Sequence, residues 1–242
     1  MNHQAAREDL AAAFRLAVRF NWHEAVANHF SLAVNDDGSR FLMNPDSMHF
    51  ARIRASDLLE IDANDPATMD RADAPDATAW GLHGALHRNV PWARCALHLH
   101  PKYATVLASL ADSTLPPIDQ NSAMFYGRVV IDEDYGGLAH EDEGERICAK
   151  FTDPQKKVMV MGNHGIMVVG ESVAEAFNTL YYFERAAETY ITALSTGRPL
   201  RVLSDNIATK TAAEMNAQPT IIRQHLAELR RILDAEGADY RQ

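Results

Sequence analysis

Two histidines two positions apart, His98 and His100, have the spacing that most directly indicates chemistry in this chain. They occur in the run RCALHLHP of residues 94–101, an apolar segment ended by proline that predicts a short buried strand. Since alternate side chains of a strand point to the same face, both imidazoles are presented side by side. A third histidine, His164 in the run GNHG of residues 162–165, would complete a three-histidine metal site with a coordination position left open for chemistry.

Two further segments contain polar residues with catalytic potential. His83 and His87 lie four apart on one face of a predicted helix, which is also a ligand spacing, although packing or orientation of the ligands is an alternative role. The segment 119–126 combines polar and aromatic residues after two prolines. It either lines a pocket, with Tyr126 as a proton-transferring group, or is an ordinary loop with one buried tyrosine.

The bulk composition limits the class of protein. The chain has 242 residues, of which 47% are apolar and 23% are charged, and this indicates one large globular domain or one domain with a helical extension. The net charge of −10 argues against nucleic acid or an anionic membrane as the main partner. Two cysteines without a CxxC motif exclude a disulfide framework and a thiolate zinc site. Without an apolar signal segment or a membrane-length apolar run, the expected location is the cytoplasm.

Hydrophobic periodicity predicts an alternation of strands and helices. Helices are predicted over residues 5–20, 75–88, 101–110, 171–195 and 218–235, and the charged run 140–146 predicts a solvated helix start. Strands are predicted over residues 26–34, 40–43, 94–100 and 127–132, and residues 56–62 predict a short turn leading into another strand. The segment 157–169 predicts a hairpin that turns at its central Gly-Asn-His-Gly. Strands interspersed with helices indicate a layered α/β fold.

Several motifs occur in an order that matches a known family. They are Ala27-Asn28-His29-Phe30-Ser31, a helical His83, the pair His98-x-His100, and Asn163-His164-Gly165 followed by Gly170 and a helix. Over residues 5–200 this pattern resembles the class II aldolase/adducin family. The resemblance implies a three-layer α/β/α domain with a central mixed, largely antiparallel sheet over residues 1–200. It leaves residues 201–242 as a C-terminal helical extension and implies a homotetramer.

The resemblance also assigns roles to individual residues. It implies one divalent metal ion per chain, with zinc first and manganese or iron as alternatives, held by His98, His100 and His164. Asn28 matches a family asparagine that contacts substrate, and Ser31 and Asp46 are predicted to bind substrate beside it. His83 and Tyr126 are the predicted catalytic residues, with Tyr126 the candidate for proton transfer.

The chain departs from the sugar-phosphate aldolases of this family, of which L-fuculose-phosphate aldolase is a well-known member. Those enzymes use a catalytic Glu four residues before the position of His83, and this chain has Ala79 there. Their phosphate-binding hydroxyl pair corresponds to Ala77 and Thr78, and their Thr-Gly pair corresponds to Pro45-Asp46-Ser47. Because Asp46 would repel a phosphate dianion, we assign the chain to an adducin-like bacterial branch that keeps the metal site without the sugar-phosphate machinery.

These observations predict a metal-dependent carbon–carbon lyase, of aldolase or decarboxylase type, acting on a small unphosphorylated hydroxy- or keto-carboxylate. Both reactions leave an enolate-type carbanion that a divalent ion stabilises, and decarboxylation needs no base to deprotonate a hydroxyl group. Two alternatives remain open from the sequence. One is a non-haem iron oxygenase on the same three histidines, and the other is a catalytically silent binding or scaffold protein resembling adducin.

Overall fold

Seven strands form one mixed sheet in a computed structural model that describes residues 3–138 and 140–242. The strands are β1 His29–Ala33, β2 Arg40–Met43, β3 Leu59–Asp62, β4 Cys95–Leu99, β5 Val129–Asp132, β6 Val158–Met161 and β7 Gly165–Gly170. Their order across the sheet is β3-β2-β1-β4-β7-β6-β5. Strands β5 and β6 pair in parallel, and every other neighbouring pair is antiparallel. The predicted mixed, largely antiparallel sheet is therefore confirmed.

Helices cover both faces of this sheet. They are α1 Gln4–Arg19, α2 Ala77–Asn89, α3 Lys102–Ala108, α4 Gln120–Ala123, α5 Glu141–Cys148, α6 Val173–Ser195, α7 Asp205–Asn216 and α8 Pro219–Ala235. Apolar residues of α1, α3, α6 and α8 pack on one face in the larger hydrophobic core. Helices α2 and α5 cover the other face with a second core. This confirms the three-layer α/β/α arrangement, because each sheet face buries its apolar side chains under its own helices.

Alternation along β1 and β4 separates the apolar from the polar residues. Phe30, Leu97 and Leu99 point into the larger core. Their neighbours His29 and His98 point to the opposite face, where the two residues are directly paired across the antiparallel strands. The central strands therefore gather imidazole side chains on the face covered by α2.

Most predicted elements are present, but two helices were missed. The helix α7 has only Ala208 and Ala212 buried, so it lacks the wide apolar stripe from which a helix is recognised in sequence. The short helix α4 has only four residues, too few to show any period. The charged run 140–146 does begin a helix, α5, but that helix is not simply solvated. A Cβ atom on its Gly144 would lie 2.1 Å from the Gly81 carbonyl oxygen, so α5 packs tightly against α2.

The C-terminal segment packs onto the sheet domain. Leu226, Leu229 and Leu233 of α8 join the larger core, and the fully buried Tyr240 accepts a hydrogen bond from the Ala55 amide through its carbonyl. The division of the chain at residue 200 stays a prediction. No helix within residues 3–138 and 140–242 is long and apolar enough to cross a membrane.

Candidate metal centre

Three imidazoles converge at one end of the central strands. His98 lies in β4, His100 directly follows that strand, and His164 lies in the turn between β6 and β7. One nitrogen from each ring lies within 4.8 Å of the nitrogens of the other two. The ring centroids are 4.7 Å apart for His98 and His164 and 4.9 Å apart for His100 and His164. The structure therefore brings together the three ligands predicted from sequence.

Hydrogen bonds orient two of the three rings. The Nδ1 atom of His98 lies 3.0 Å from the Ile166 carbonyl oxygen, which can only accept, so Nδ1 carries the proton. The Nδ1 atom of His100 pairs with the carboxylate of Glu24. In both rings the Nε2 lone pair is left for a metal ion, as is usual when a carbonyl or carboxylate orients a ligating histidine.

The donor set fits a divalent cation. His100 Nε2 is buried and has no hydrogen-bond partner, an arrangement that is costly unless a ligand occupies it. Burial lowers the pKa of His98 well below its ordinary value and lowers the pKa of His164 to about 4. Both rings are therefore neutral at pH 7, which is the form that binds metal.

A glycine allows the His100 ring to reach this position. A Cβ atom on Gly165 would lie 2.3 Å from Cδ2 of His100 and 2.8 Å from the Leu99 carbonyl oxygen. Real Cβ atoms do not approach other atoms so closely, so any side chain at position 165 must displace the His100 ring or the end of β4.

We expect Gly165→Ala to lower metal affinity by at least about tenfold, because mispositioning a ligand costs as much as losing its hydrogen-bonded partner. Overpacking should also cost about 1–3 kcal/mol of unfolding free energy. Competition with a chelator measures the first effect and urea unfolding the second. Gly197→Ala is the matched control: Gly197 has φ +67° with no atom near its Cβ position, so the variant should lose stability and keep full metal affinity. Unchanged metal affinity in Gly165→Ala would show that metal binding does not depend on the close contact between the His100 ring and Gly165.

The three histidines line a cavity of about 320 Å³. Asn28 contributes a side-chain amide whose Oδ1 accepts a hydrogen bond of 3.0 Å from the Glu24 amide, while its buried Nδ2 has no partner. The carboxylates of Asp46 and Asp76 also line the cavity, and none of the described lining residues is Lys or Arg. The cavity therefore offers one free amide donor and two acidic groups beside the imidazoles.

The first turn of α2 forms part of the cavity wall. Asp76 caps this helix, since its carboxylate accepts hydrogen bonds from the amides of Thr78 at 2.9 Å and Ala79 at 3.0 Å. Ala79 lies on the cavity wall with only 2% of its surface exposed. A methyl group thus occupies the position from which a longer side chain would reach the cavity.

Residues 8–191 match the family described as the Class II Aldolase and Adducin N-terminal domain. The chain belongs to this family. A class 2 aldolase homologue of Caulobacter vibrioides is 30% identical over 84% of this chain and 78% of its own length. Rat alpha-adducin is 30% identical over 78% of this chain, and the match spans 26% of adducin. The crystal structure of an aldolase II superfamily protein from Pseudomonas syringae superposes with a TM-score of 0.87 at 31% identity, covering 99% of this chain and 96% of the other.

Three residues predicted at the site of this class II aldolase/adducin protein lie elsewhere. His83, a predicted catalytic residue, is fully buried in α2 and does not line the cavity, because its two ring nitrogens face Ser31 and His29. Ser31 is fully buried beneath the cavity, where its hydroxyl group contacts His83 and His87 because its side chain points at α2. Tyr126 follows α4, and the neighbouring Asp205 of α7 raises the pKa of its hydroxyl group. The structure brings none of these three side chains to the cavity of its own chain, whereas Asn28 and Asp46 line it.

Sequence reasoning also missed two residues of the class II aldolase/adducin site. His29 lines the cavity, and its signal was available: it alternates with Ser31 and faces the same side of the sheet. Glu24 pairs with His100 from an irregular segment 76 positions away, and no periodicity points to such a contact.

Buried histidines should make the metal-free protein of this family sensitive to acid. Burial lowers the pKa of His83 and His87 from 6.5 to about 3, so the unfolded chain binds more protons between these values. The unfolding free energy should therefore fall as the pH drops from 6.5, by up to about 1.4 kcal/mol per pH unit for each histidine. Urea unfolding in EDTA measures this slope. His87→Gln should reduce the slope, and the exposed His140→Gln should leave it unchanged. Equal slopes in the wild type and both variants would contradict the attribution of acid sensitivity to the buried histidines.

Proposed function

We propose that this class II aldolase/adducin family member is a metal-dependent carbon–carbon lyase, of aldolase or decarboxylase type, for a small unphosphorylated hydroxy- or keto-carboxylate. The observation that carries the proposal is the convergence of three imidazoles, one with an unpartnered Nε2, on an open cavity. His98, His100 and His164 would hold one zinc ion, with manganese or iron as alternatives. Held by three imidazoles, such an ion would keep its +2 charge and would supply stabilisation of an enolate-type carbanion.

The cavity walls support the substrate class. Asn28 Nδ2 is a free donor for a carboxylate or carbonyl oxygen, and Asp46 and Asp76 accept hydrogen bonds from hydroxyl groups. The same two carboxylates disfavour a phosphate dianion by charge repulsion. A short hydroxy- or keto-carboxylate presents acceptor oxygens to the Asn28 amide and, where it carries a hydroxyl group, a hydrogen to the two carboxylates.

The chemistry at the α2 wall favours reactions that need no carboxylate base. Ala79 carries no titratable group, and Asp76 is engaged in capping α2. Decarboxylation requires stabilisation of the carbanion and a later proton donor. Its rate therefore falls less than the rate of aldol cleavage when the base is missing. We accordingly propose decarboxylation as the first reaction to test.

The test measures pyruvate release from oxaloacetate and from 4-hydroxy-2-keto acids by the zinc- and manganese-loaded protein. The expected result is turnover by the wild type and by His140→Gln, and none by His98→Ala. Oxygen uptake by the iron(II)-loaded protein, with no pyruvate from either substrate, would replace the proposal by the oxygenase alternative. Full metal occupancy with neither activity would overturn it in favour of an adducin-like binding protein.

We also propose that the protein assembles as a tetramer. Supporting this, Val202, Ile207 and Ile221 in and around α7 and α8 are each at least half exposed in the isolated chain. Light scattering at micromolar concentration should give four chain masses. Ile221→Glu should shift the distribution towards smaller species while Lys210→Glu, an exposed change on α7, should not. A monomeric wild type would contradict the proposal.

A further inference from the structure

A chain of hydrogen-bonded side chains runs from α2 to the cavity wall. The Ser31 hydroxyl group lies 2.8 Å from His87 Nε2 and 2.6 Å from His83 Nδ1. The other nitrogen of His83, Nε2, lies 2.9 Å from Nδ1 of His29. Ser31 and His83 are fully buried and the outer two residues nearly so. Apolar packing does not require such a polar chain, and a buried polar network of this kind fixes the geometry of its members.

Of the four hydrogen-bonded side chains, His29 is the one that lines the cavity. Its ring lies 4.9 Å from the ring of His98, across the paired strands β1 and β4. It is nevertheless outside the group of three histidines whose nitrogens all lie within 4.8 Å of one another. Since His83 occupies Nδ1 of His29, Nε2 is the nitrogen available to a bound molecule.

The number of available hydrogens allows only two directions for this series of hydrogen bonds. Burial keeps His83 and His87 neutral, with pKa values near 3, so each of these two rings carries one hydrogen. Each of the three hydrogen bonds holds one hydrogen, and the single hydrogen of the Ser31 hydroxyl group points to one of its two ring partners. In the outward arrangement His87 donates to Ser31, Ser31 to His83 and His83 to His29, and Nε2 of His29 then bears a hydrogen. In the inward arrangement every link is reversed, and Nε2 of His29 is a bare acceptor.

We propose that His29 is a substrate-binding residue whose Nε2–H donates a hydrogen bond to a carboxylate or carbonyl oxygen, and that Ser31 and His83 position it and fix its tautomer. This rests on the proposed function. The outward arrangement is favoured because the proposed substrate presents acceptor oxygens, while Asp46 and Asp76 already supply acceptors on the protein side. Ser31 and His83 are positioning residues, since they act through His29 and do not line the cavity.

The first test locates the protons by neutron diffraction from deuterated crystals of the zinc-loaded protein. The expected result is deuterium on Nε2 of His29, His83 and His87 and none on Nδ1 of any of them. Deuterium on Nδ1 of His29 or His83 would overturn the proposal. A zinc ion bound to Nε2 of His29 would do so as well.

The second test uses oxalate as a probe for the two adjacent acceptor oxygens of a keto-carboxylate. Calorimetry on the zinc-loaded protein should show oxalate affinity falling about tenfold or more in His29→Phe, because a hydrogen bond to a charged group is lost. His29→Gln should recover most of the affinity, since a glutamine amide nitrogen can take the place of Nε2. Ser31→Ala should weaken binding by less, and His140→Gln should leave it unchanged. Equal affinity in His29→Phe, or no oxalate binding by the wild type, would overturn the proposal.

These readouts do not depend on turnover. If the protein fails to cleave any keto acid while the tautomers and oxalate affinities are as expected, the proposed reaction is wrong and the role of His29 in ligand binding stands. If Ser31→Ala does not fold, the His29→Phe and His29→Gln pair still decides the question.

Discussion

Replacing His98, His100 or His164 by alanine should abolish stoichiometric metal binding, which we expect at one divalent ion per wild-type chain. Each ring supplies one of the three converging nitrogens. Two imidazoles cannot hold the ion in the same geometry, so affinity should fall by at least about 100-fold, beyond the loss that follows when only an orienting partner is removed. Elemental analysis of purified proteins, followed by zinc titration with a competing chelator, measures the effect.

Metal removal should also lower thermal stability, because the ion binds the folded site. At a free metal concentration 1,000 times the dissociation constant, the contribution is about 4 kcal/mol. EDTA should therefore lower the melting temperature of the wild type and leave that of His164→Ala unchanged. His140→Gln is the matched control, since this histidine is exposed and outside the cluster. Full metal content in all three alanine variants would refute the ligand assignment.

The wild type should be nearly inactive on L-fuculose 1-phosphate and related sugar phosphates. Ala79 puts a methyl group on the cavity wall, at the position that the family resemblance assigns to the catalytic Glu of the sugar-phosphate aldolases. A well-placed general acid/base contributes about 10²–10⁴-fold in rate. Asp46 and Asp76 line the same cavity and repel the phosphate dianion. Both rate and affinity should therefore be low, as measured by aldehyde release from the metal-loaded protein.

Restoring only the carboxylate should give little activity. We expect Ala79→Glu to remain within about tenfold of the wild type on sugar phosphates, because Asp46 still opposes phosphate binding. Ala79→Glu combined with Asp46→Thr should cleave sugar phosphates faster than Ala79→Glu alone, and Ala79→Gln is the control for side-chain volume. Efficient cleavage of a sugar phosphate by the wild type would contradict this account and would require a proton-transfer group other than position 79.

The three histidines of the candidate metal centre could be predicted from sequence because local geometry brings them together. Alternation along a strand places His98 and His100 on one side, and the hairpin turn brings His164 back beside them. The amphipathic helices α1 and α8 were equally predictable from their periodic apolar residues. None of this required knowledge of long-range packing beyond the pairing of neighbouring strands.

Other features depend on contacts that no local pattern encodes. Glu24 reaches His100 from an irregular segment, and the direction of the Tyr126 side chain follows from how α4 packs against α7. The polar links from Ser31 to His83 and His87 arise only when β1 lies under α2. The position of His29 on the same face as Ser31 could have been predicted, since their alternation is visible in the sequence. Its pairing with His98, however, depends on the register of two strands 66 positions apart.

The ligands and the cavity walls come from different kinds of element, and this bears on how the protein can diverge. His98 lies in a central strand whose neighbours on both sides hold it in register. Asp46, by contrast, is an exposed residue of a connection, where a change of side chain disturbs few packed neighbours, and Ala79 lies on the cavity wall in the first turn of a helix. Mutation can therefore alter which molecule the cavity accepts while the strands that carry the candidate ligands keep their stability. A single sheet scaffold of this kind can serve successive specificities, and can lose catalysis altogether without losing its fold.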